Sequence, residues 1–244
     1  TEYYVPDLGK KVKPIDYASA CYLRTSWRSL NPTAGVYSWR DKNTQIGRLI
    51  QGALDRGLPI AFRIVVDGRD QGLNTPQFVF DAGDKYYLGD GKYPDRRTPY
   101  PQDEVFKAHY TTLIEELAKD FNDPKKCAFV DAYGLGKWGE AHNVIYESVG
   151  ENVTANTEKL KEEVFEWATD LYARTFTNVP LVINYHRVVG HPASGGSANE
   201  NSAKLLTSAI NKGYSLRQDA FGMTDYYQSW EKQFAAGWTY KRPI

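Results

Sequence analysis

Hydrophobic residues in this 244-residue chain fall into two kinds of pattern. Short, nearly unbroken apolar runs alternate with longer stretches in which apolar residues recur every three or four positions. Ala20-Cys-Tyr-Leu-Arg-Thr-Ser-Trp27, Leu58-Pro-Ile-Ala-Phe-Arg-Ile-Val-Val66, Cys127 to Val130, Val179-Pro-Leu-Val-Ile-Asn-Tyr-His186 and the less apolar Ser215 to Met223 read as strands. The continuous character of the second suits a parallel sheet covered on both faces. The other pattern predicts helices. Ile46, Leu49, Ile50, Ala53 and Leu54 share one face over Asp41 to Arg56, and Gly57 stops it. Val105, Phe106, Tyr110, Leu113, Ile114 and Leu117 do the same over Asp103 to Phe121. Further helices are expected over Thr157 to Phe176, near Asn199 to Lys212, and over Tyr226 to Ala236. Residues 1–19 read as an irregular lead-in. Asp67 to Gln102 reads as one long connection, of a length that is usually functional or mobile.

Strand followed by helix, repeated five times, predicts an α/β chain with a parallel sheet and right-handed crossovers. No internal repeat and no linker divides it, so residues 1–244 are expected to be a single domain. Five units are too few to close an eight-stranded barrel. The choice lies between an open doubly wound sheet and an incomplete (β/α)8 barrel. Arg242-Pro-Ile244 rises into a strand and stops, which favours the barrel. Such a piece would expose its edge strands unless something covers them.

Charge removes several functions. Thirty basic residues balance thirty acidic ones, which argues against nucleic acid or an anionic membrane as the main partner. No apolar run approaches a membrane span. No G-x-G-x-x-G follows the early strands, and neither a P-loop nor a G-x-S-x-G elbow occurs. No ligand spacing suggests zinc, so neither metal nor cofactor is expected. Cys21 and Cys127 open apolar runs and read as buried free thiols. The 18 tyrosines and 6 tryptophans suit either a sugar-binding cleft or a tyrosine-rich core.

Candidate chemistry gathers after the third strand. There Gly134, Gly136 and Gly139 loosen the chain and Glu140 follows, flanked by Trp138 and His142. One acid presented where a strand ends in a Gly/Trp-rich turn is how an α/β barrel builds an active site. Arg63 and Asp131 are charges inside apolar strands. They read as a structural ion pair at the barrel mouth or as groups that position a catalytic carboxylate or a sugar hydroxyl. Tyr185 and His186 end the fourth strand, where they would orient a carboxylate, contact sugar or cap the backbone. Trp27 and Trp138 are candidate stacking platforms. Trp230 reads as core, Trp39 as packing between its loop and helix, and Asp219 and Asp225 as fallback second carboxylates.

Three segments carry a family resemblance. Trp27-Arg-Ser-Leu-Asn-Pro-Thr-Ala-Gly-Val-Tyr-Ser-Trp39 resembles the segment after the second barrel strand in the (β/α)8 glycoside hydrolases of clan A, the β-galactosidase/cellulase superfamily. Phe62-Arg-Ile-Val-Val66 with Thr75-Pro-Gln-Phe-Val79 is similar to their third strand and its loop. Asp131 followed by Gly136-Lys-Trp-Gly-Glu-Ala-His142 resembles the fourth strand of a bacterial branch of such barrels. The resemblance spans most of residues 20–244. It implies a TIM barrel of which this chain holds the second to sixth strands and the start of the seventh. It also implies a secreted, periplasmic or cell-surface enzyme that hydrolyses an oligosaccharide or polysaccharide, with Glu140 as general acid/base. A nucleophile glutamate would lie just past Ile244, and the remaining barrel segments would come from elsewhere. The 244-residue piece alone is then expected to be inactive. Many relatives carry Asn immediately before the acid, where this chain has Gly139, which puts the usual retaining arrangement in question. The alternative is a barrel that binds carbohydrate without turning it over.

Overall fold

The computed structural model describes residues 2–69, 72–89, 95–147, 153–186, 200–218, 227 and 229–239. The chain opens on a small antiparallel hairpin, β1 (Tyr3–Val5) against β2 (Lys10–Val12), instead of the irregular lead-in expected. Gly9 supplies the turn at φ 60°.

Five strands then make one parallel sheet in the order β3 (Cys21–Ser26), β4 (Ile60–Val65), β7 (Cys127–Asp131), β8 (Leu181–Asn184) and β9 (Ser215–Arg217). Every neighbouring pair is parallel. The carboxyl ends at Ser26, Val65, Asp131, Asn184 and Arg217 therefore share one edge. Between the strands run α1 (Trp27–Leu30), α2 (Gln45–Leu54), α3 (Gln77–Asp81), α4 (Glu104–Phe121), α5 (Val153–Thr175), α6 (Glu200–Asn211) and, after β9, α7 (Ser229–Thr239). The long connection after β4 is not structureless: it contains α3 and a second hairpin, β5 (Tyr86–Leu88) with β6 (Arg97–Pro99). Asp219, Asp225 and the terminal Arg242-Pro-Ile244 lie outside the described residues.

Helix starts follow side-chain chemistry. The Thr44 hydroxyl accepts from Gly47 N–H at 2.9 Å to begin α2, and Asp103 Oδ1 accepts from Val105 N–H at 2.8 Å to begin α4. Gly57, at φ 72°, ends α2. All six residues of β4 are buried, because β3 and β7 flank it and Phe62 packs on Phe121 of α4 at 4.8 Å. Cys21 and Cys127 are free thiols on strands separated by β4, and burial pushes Cys127 up to about 12.

The tyrosines are divided between core and surface. Tyr110, Tyr133, Tyr172 and Tyr214 are at most 1% exposed. The Tyr110 and Tyr172 hydroxyls meet at 2.8 Å, and the Tyr214 hydroxyl lies 3.0 Å from the Ala132 carbonyl and 3.1 Å from that of Thr169. These phenols tie α4, α5 and the chain entering β9 to the residue just after β7.

Gly134 sits where this core meets the end of β7. At φ 76°, a Cβ there would stand 2.2 Å from the Tyr110 hydroxyl. Gly57 has a similar φ, but a Cβ added to it would meet nothing within 4 Å. Gly57→Ala is expected to cost about 1 kcal/mol, the backbone term alone, and Gly134→Ala about 3 kcal/mol from backbone plus overpacking. Urea unfolding of the two variants separates these terms, and equal losses would show that Tyr110 yields freely.

Candidate active site

The site is built around a guanidinium. Arg63 occupies β4 opposite Asp131 of β7 in the strand register, and its Nε lies 3.0 Å from Asp131 Oδ2. Its Nη1 pairs with Glu140 Oε1. The same Nε donates to the Tyr22 hydroxyl of β3 at 2.6 Å, and that hydroxyl reaches Asp131 Oδ2 at 3.4 Å. Arg217 at the end of β9 brings its Nε to 2.8 Å from Asp131 Oδ2. The Asp131 side chain is 1% exposed, Arg63 5% and Glu140 14%. Two guanidinia thus face two carboxylates across four strands, which is how buried charge is tolerated. Burial pushes the Tyr22 phenol up to about 12, helped by the Asp131 charge, so it remains a neutral donor.

Glu140 rides on a loop of left-handed backbone. Gly134, Gly136, Trp138, Gly139, Ala141 and Asn143 all have φ between 48° and 76°. Trp138, Ala141 and Asn143 adopt that region without glycine's freedom, a strain that clusters at functional sites. The loop closes on itself: Lys137 N–H donates to His142 O at 2.9 Å, Glu140 N–H to Lys137 O at 3.0 Å and Ala141 N–H to Leu135 O at 2.9 Å. Gly139 is obligatory on two counts. Its φ is 72°, and a Cβ would stand 2.6 Å from the Ile64 carbonyl of β4. An asparagine before the acid has no room here, so the departure from the clan pattern follows from how closely this loop lies on its neighbour strand.

His142 returns toward Glu140, with Nε2 at 3.4 Å from Oε2. Its ring meets Trp138 edge-on at 5.7 Å and His186 at 5.6 Å. Burial alone would raise the Glu140 carboxyl, but the His142 hydrogen bond and the Arg63 charge outweigh it and hold it down at about 2. In the arrangement described, Glu140 is a carboxylate.

Several sequence candidates take other roles. Trp27 is no sugar platform: it is fully buried against Phe78, Phe106 and Tyr110, and its indole donates to Asn31 Oδ1 at 3.2 Å. Asp131 and Arg63 do pair, and with so little exposure they support the site from beneath it. His186 is fully enclosed, its Nδ1 3.0 Å from Glu231 Oε2, so it does not meet substrate. Tyr185 is 5% exposed and stacks on Tyr227 at 5.1 Å, which closes its ring face. Trp138 and His142 remain beside Glu140. Trp39 is buried and donates to Asp120 of α4 at 2.7 Å, and Trp230 is half-buried against Phe234.

Sequence reasoning missed Tyr22, Arg217, Glu231 and Arg69 among others. Tyr22 and Arg217 sit at polar positions of strands already recognised, where alternation would place them on the Arg63 face. Glu231 and Arg69 gave no signal, since contacts across 45 and 74 residues leave no local pattern. Arg69 pairs with Asp67 and donates to the Asn143 carbonyl at 2.7 Å, tying the insertion after β4 to the Glu140 loop. Among the described residues no group of three or more His, Cys, Asp or Glu could hold a metal ion, and no helix is long and apolar enough to cross a membrane.

The Glu140 pairing has a pH signature. Its folded-state value lies below the unfolded one, so the stabilisation is complete above about pH 4.5 and disappears as pH falls toward about 2. Between about pH 5 and about pH 3 the stability difference between wild type and Glu140→Gln should shrink by on the order of 1–2 kcal/mol. Urea titrations at both pH values measure it, and a constant difference would mean that the carboxylate gains nothing from its partners.

The sequence matches no protein-family model and no curated protein. Solved structures do resemble it. An endo-1,4-β-xylanase from Caldicellulosiruptor owensensis superposes with a TM-score of 0.50 at 11% identity, over 91% of this chain and 60% of the xylanase. A β-galactosidase from Bacillus circulans sp. alkalophilus gives a TM-score of 0.50 at 11% identity, over 87% of this chain and 37% of that enzyme. The chain therefore spans less than two thirds of the length of either. With five parallel strands among its described residues and helices between them, it shares the α/β barrel fold of these two structures over part of their length.

Proposed function

We propose that this chain carries the acid/base side of a glycoside hydrolase active site, with Glu140 as the general acid/base and an oligosaccharide or polysaccharide as substrate. The observation that carries the reading is the placement of Glu140. It stands past the carboxyl end of the central strand, on a strained loop, more open than the Asp131 carboxylate behind it and in contact with Arg63 and His142. Barrel enzymes place their chemistry at that end of the sheet.

In the forward step the Glu140 carboxyl gives its proton to the glycosidic oxygen as the bond from that oxygen to the anomeric carbon breaks. In the return step the carboxylate removes a proton from water. A second carboxylate, on a later barrel strand, attacks the anomeric carbon if configuration is retained, at about 5–5.5 Å from Glu140, or activates water if it is inverted, at about 6.5–9.5 Å. Trp138 offers an indole beside the acid for a pyranose face. A whole protein of this kind would be secreted or exposed at the cell surface, where polysaccharides are met.

The ionised state of Glu140 favours a second reading, a barrel that binds carbohydrate without hydrolysis, because a carboxylate held by the Arg63 guanidinium and a His142 hydrogen bond is a poor acid. Full-length protein and its Glu140→Gln variant, assayed on aryl glycosides of graded leaving-group pKa and on oligosaccharides, separate the two. Turnover is expected to fall about 10²–10⁴-fold in the variant, most on the poorest leaving groups. If the wild type binds sugars and cleaves none, the hydrolase reading is lost and recognition takes its place. Equal turnover by wild type and variant would remove Glu140 from the chemistry.

A further inference from the structure

We infer that Asn184 is a positioning residue for Glu140, and that the buried His186–Glu231 pair holds Asn184 in place. The inference deepens the acid/base reading of Glu140 and rests on it. Asn184 is the last residue of β8 and is 1% exposed. Its Oδ1 accepts from His186 N–H at 3.2 Å. Its Nδ2 donates to the carbonyl of Glu140 at 3.1 Å and to the carbonyl of His186 at 3.0 Å. Turning the amide over would set its oxygen against two carbonyls, so the network fixes its orientation.

Both amide hydrogens are thereby committed. Nδ2 also approaches His142 Nε2 at 3.4 Å with no hydrogen left to give it. His142 Nε2 is left to carry its own hydrogen, and the acceptor within reach is Glu140 Oε2 at 3.4 Å. Asn184 therefore does two things: it fixes the peptide of the acid itself, next to left-handed Ala141, and it selects the His142 tautomer that donates to the acid. With every polar atom used, its amide has nothing to offer a substrate, which makes it a support and not a ligand.

The anchor lies one step further in. His186 supplies both backbone groups that hold the Asn184 amide. Its ring is fixed by Glu231 Oε2 at 3.0 Å from Nδ1, with both side chains wholly enclosed. Glu231 comes from the first turn of α7, so the seating of that helix is transmitted through His186 and Asn184 to Glu140. The His142 and His186 rings, edge to face at 5.6 Å, add a second contact along the same path.

The test uses full-length protein as wild type, Asn184→Leu, Asn184→Ser and Glu231→Gln, with Glu140→Gln as reference. Serine covers the case in which leucine does not fold. Two readouts are taken. The first is the titration of the Glu140 carboxyl followed by ¹³C-glutamate NMR, the resonance being the one absent from Glu140→Gln. The second is kcat and KM on aryl glycosides. In the Asn184 variants the Glu140 midpoint is expected to move up by about half a pH unit or more as the His142 donor loses its register. The expected kinetic change is a fall in kcat of about 10–100-fold with KM within about twofold, as for a misplaced catalytic group. Glu231→Gln should move both readouts in the same direction by less. An unmoved Glu140 titration in folded Asn184 variants overturns the inference, and so does unchanged kcat alongside a lowered melting temperature, which marks a merely structural asparagine. If the wild type cleaves no glycoside, the hydrolase reading fails by itself, and the NMR titration still decides the role of Asn184.

Discussion

Arg63 places a full positive charge inside β4, a strand whose six residues are all buried. A charge there must be compensated within contact distance or the strand would not form as it does. The compensation comes from two other strands and a loop: Tyr22 from β3, Asp131 from β7 and Glu140 from the loop beyond it, with Arg217 from β9 sharing Asp131. The cluster therefore fixes more than local geometry. It sets the strands in register where Arg63 faces Asp131, and it determines that the Glu140 loop must fold back over β4 to reach the guanidinium.

Folding back that tightly explains the composition of the loop. The peptide at Gly139 lies so near the Ile64 carbonyl that no side chain fits, and the reversal around it needs left-handed residues on both sides. Residues without glycine's freedom carry the strain of that reversal at Trp138, Ala141 and Asn143. Hydrogen bonds from outside the loop offset the strain: Arg69 on the Asn143 carbonyl and Asn184 on the Glu140 carbonyl. The insertion after β4 and the end of β8 thus grip the same loop from two sides. A residue so held keeps one orientation, which is what an acid/base needs and what an ordinary surface glutamate lacks.

The order of elements was legible because it is written in local periodicity. β3, β4, β7 and β8 and the long helices α2, α4 and α5 between them fall within a few residues of where apolar spacing puts them. The short hairpins at Tyr3–Val12 and Tyr86–Pro99 were not legible, since strands of three residues are too short for apolar alternation to show. Glu140, Arg63 and Asp131 could be singled out because a charge in or just after an apolar strand is conspicuous. Trp27 was misread for an instructive reason. The Trp–Asn-Pro–Gly-Tyr-Trp segment that carried the family resemblance is a folding device. Trp27 is bonded to Asn31, whose Nδ2 donates to the Thr33 and Val36 carbonyls, and Trp39 and Arg40 fasten the loop to Asp120. A motif shared across a superfamily can mark the scaffold as readily as the site, and burial distinguishes the two where sequence does not.

The charge balance at the site bears on how a carboxylate held near 2 could act as an acid. The described cluster sets Arg63 and Arg217 against Asp131 and Glu140, two charges against two. Glycoside hydrolysis needs one more carboxylate within several ångströms of Glu140. Bringing it in leaves an excess negative charge in a poorly solvated space and gives Arg63 a competing partner. Asp131 is locked between two guanidinia, whereas Glu140 is the more open of the two and has only one guanidinium beside it. The least costly relief is then protonation of Glu140, because like charges at close range cannot all remain ionised. On the proposed hydrolase reading, a second carboxylate beside Glu140 would oppose the lowering by Arg63 and His142. If Glu140 is the acid proposed, such a carboxylate would shift it toward the protonated form that the first chemical step requires.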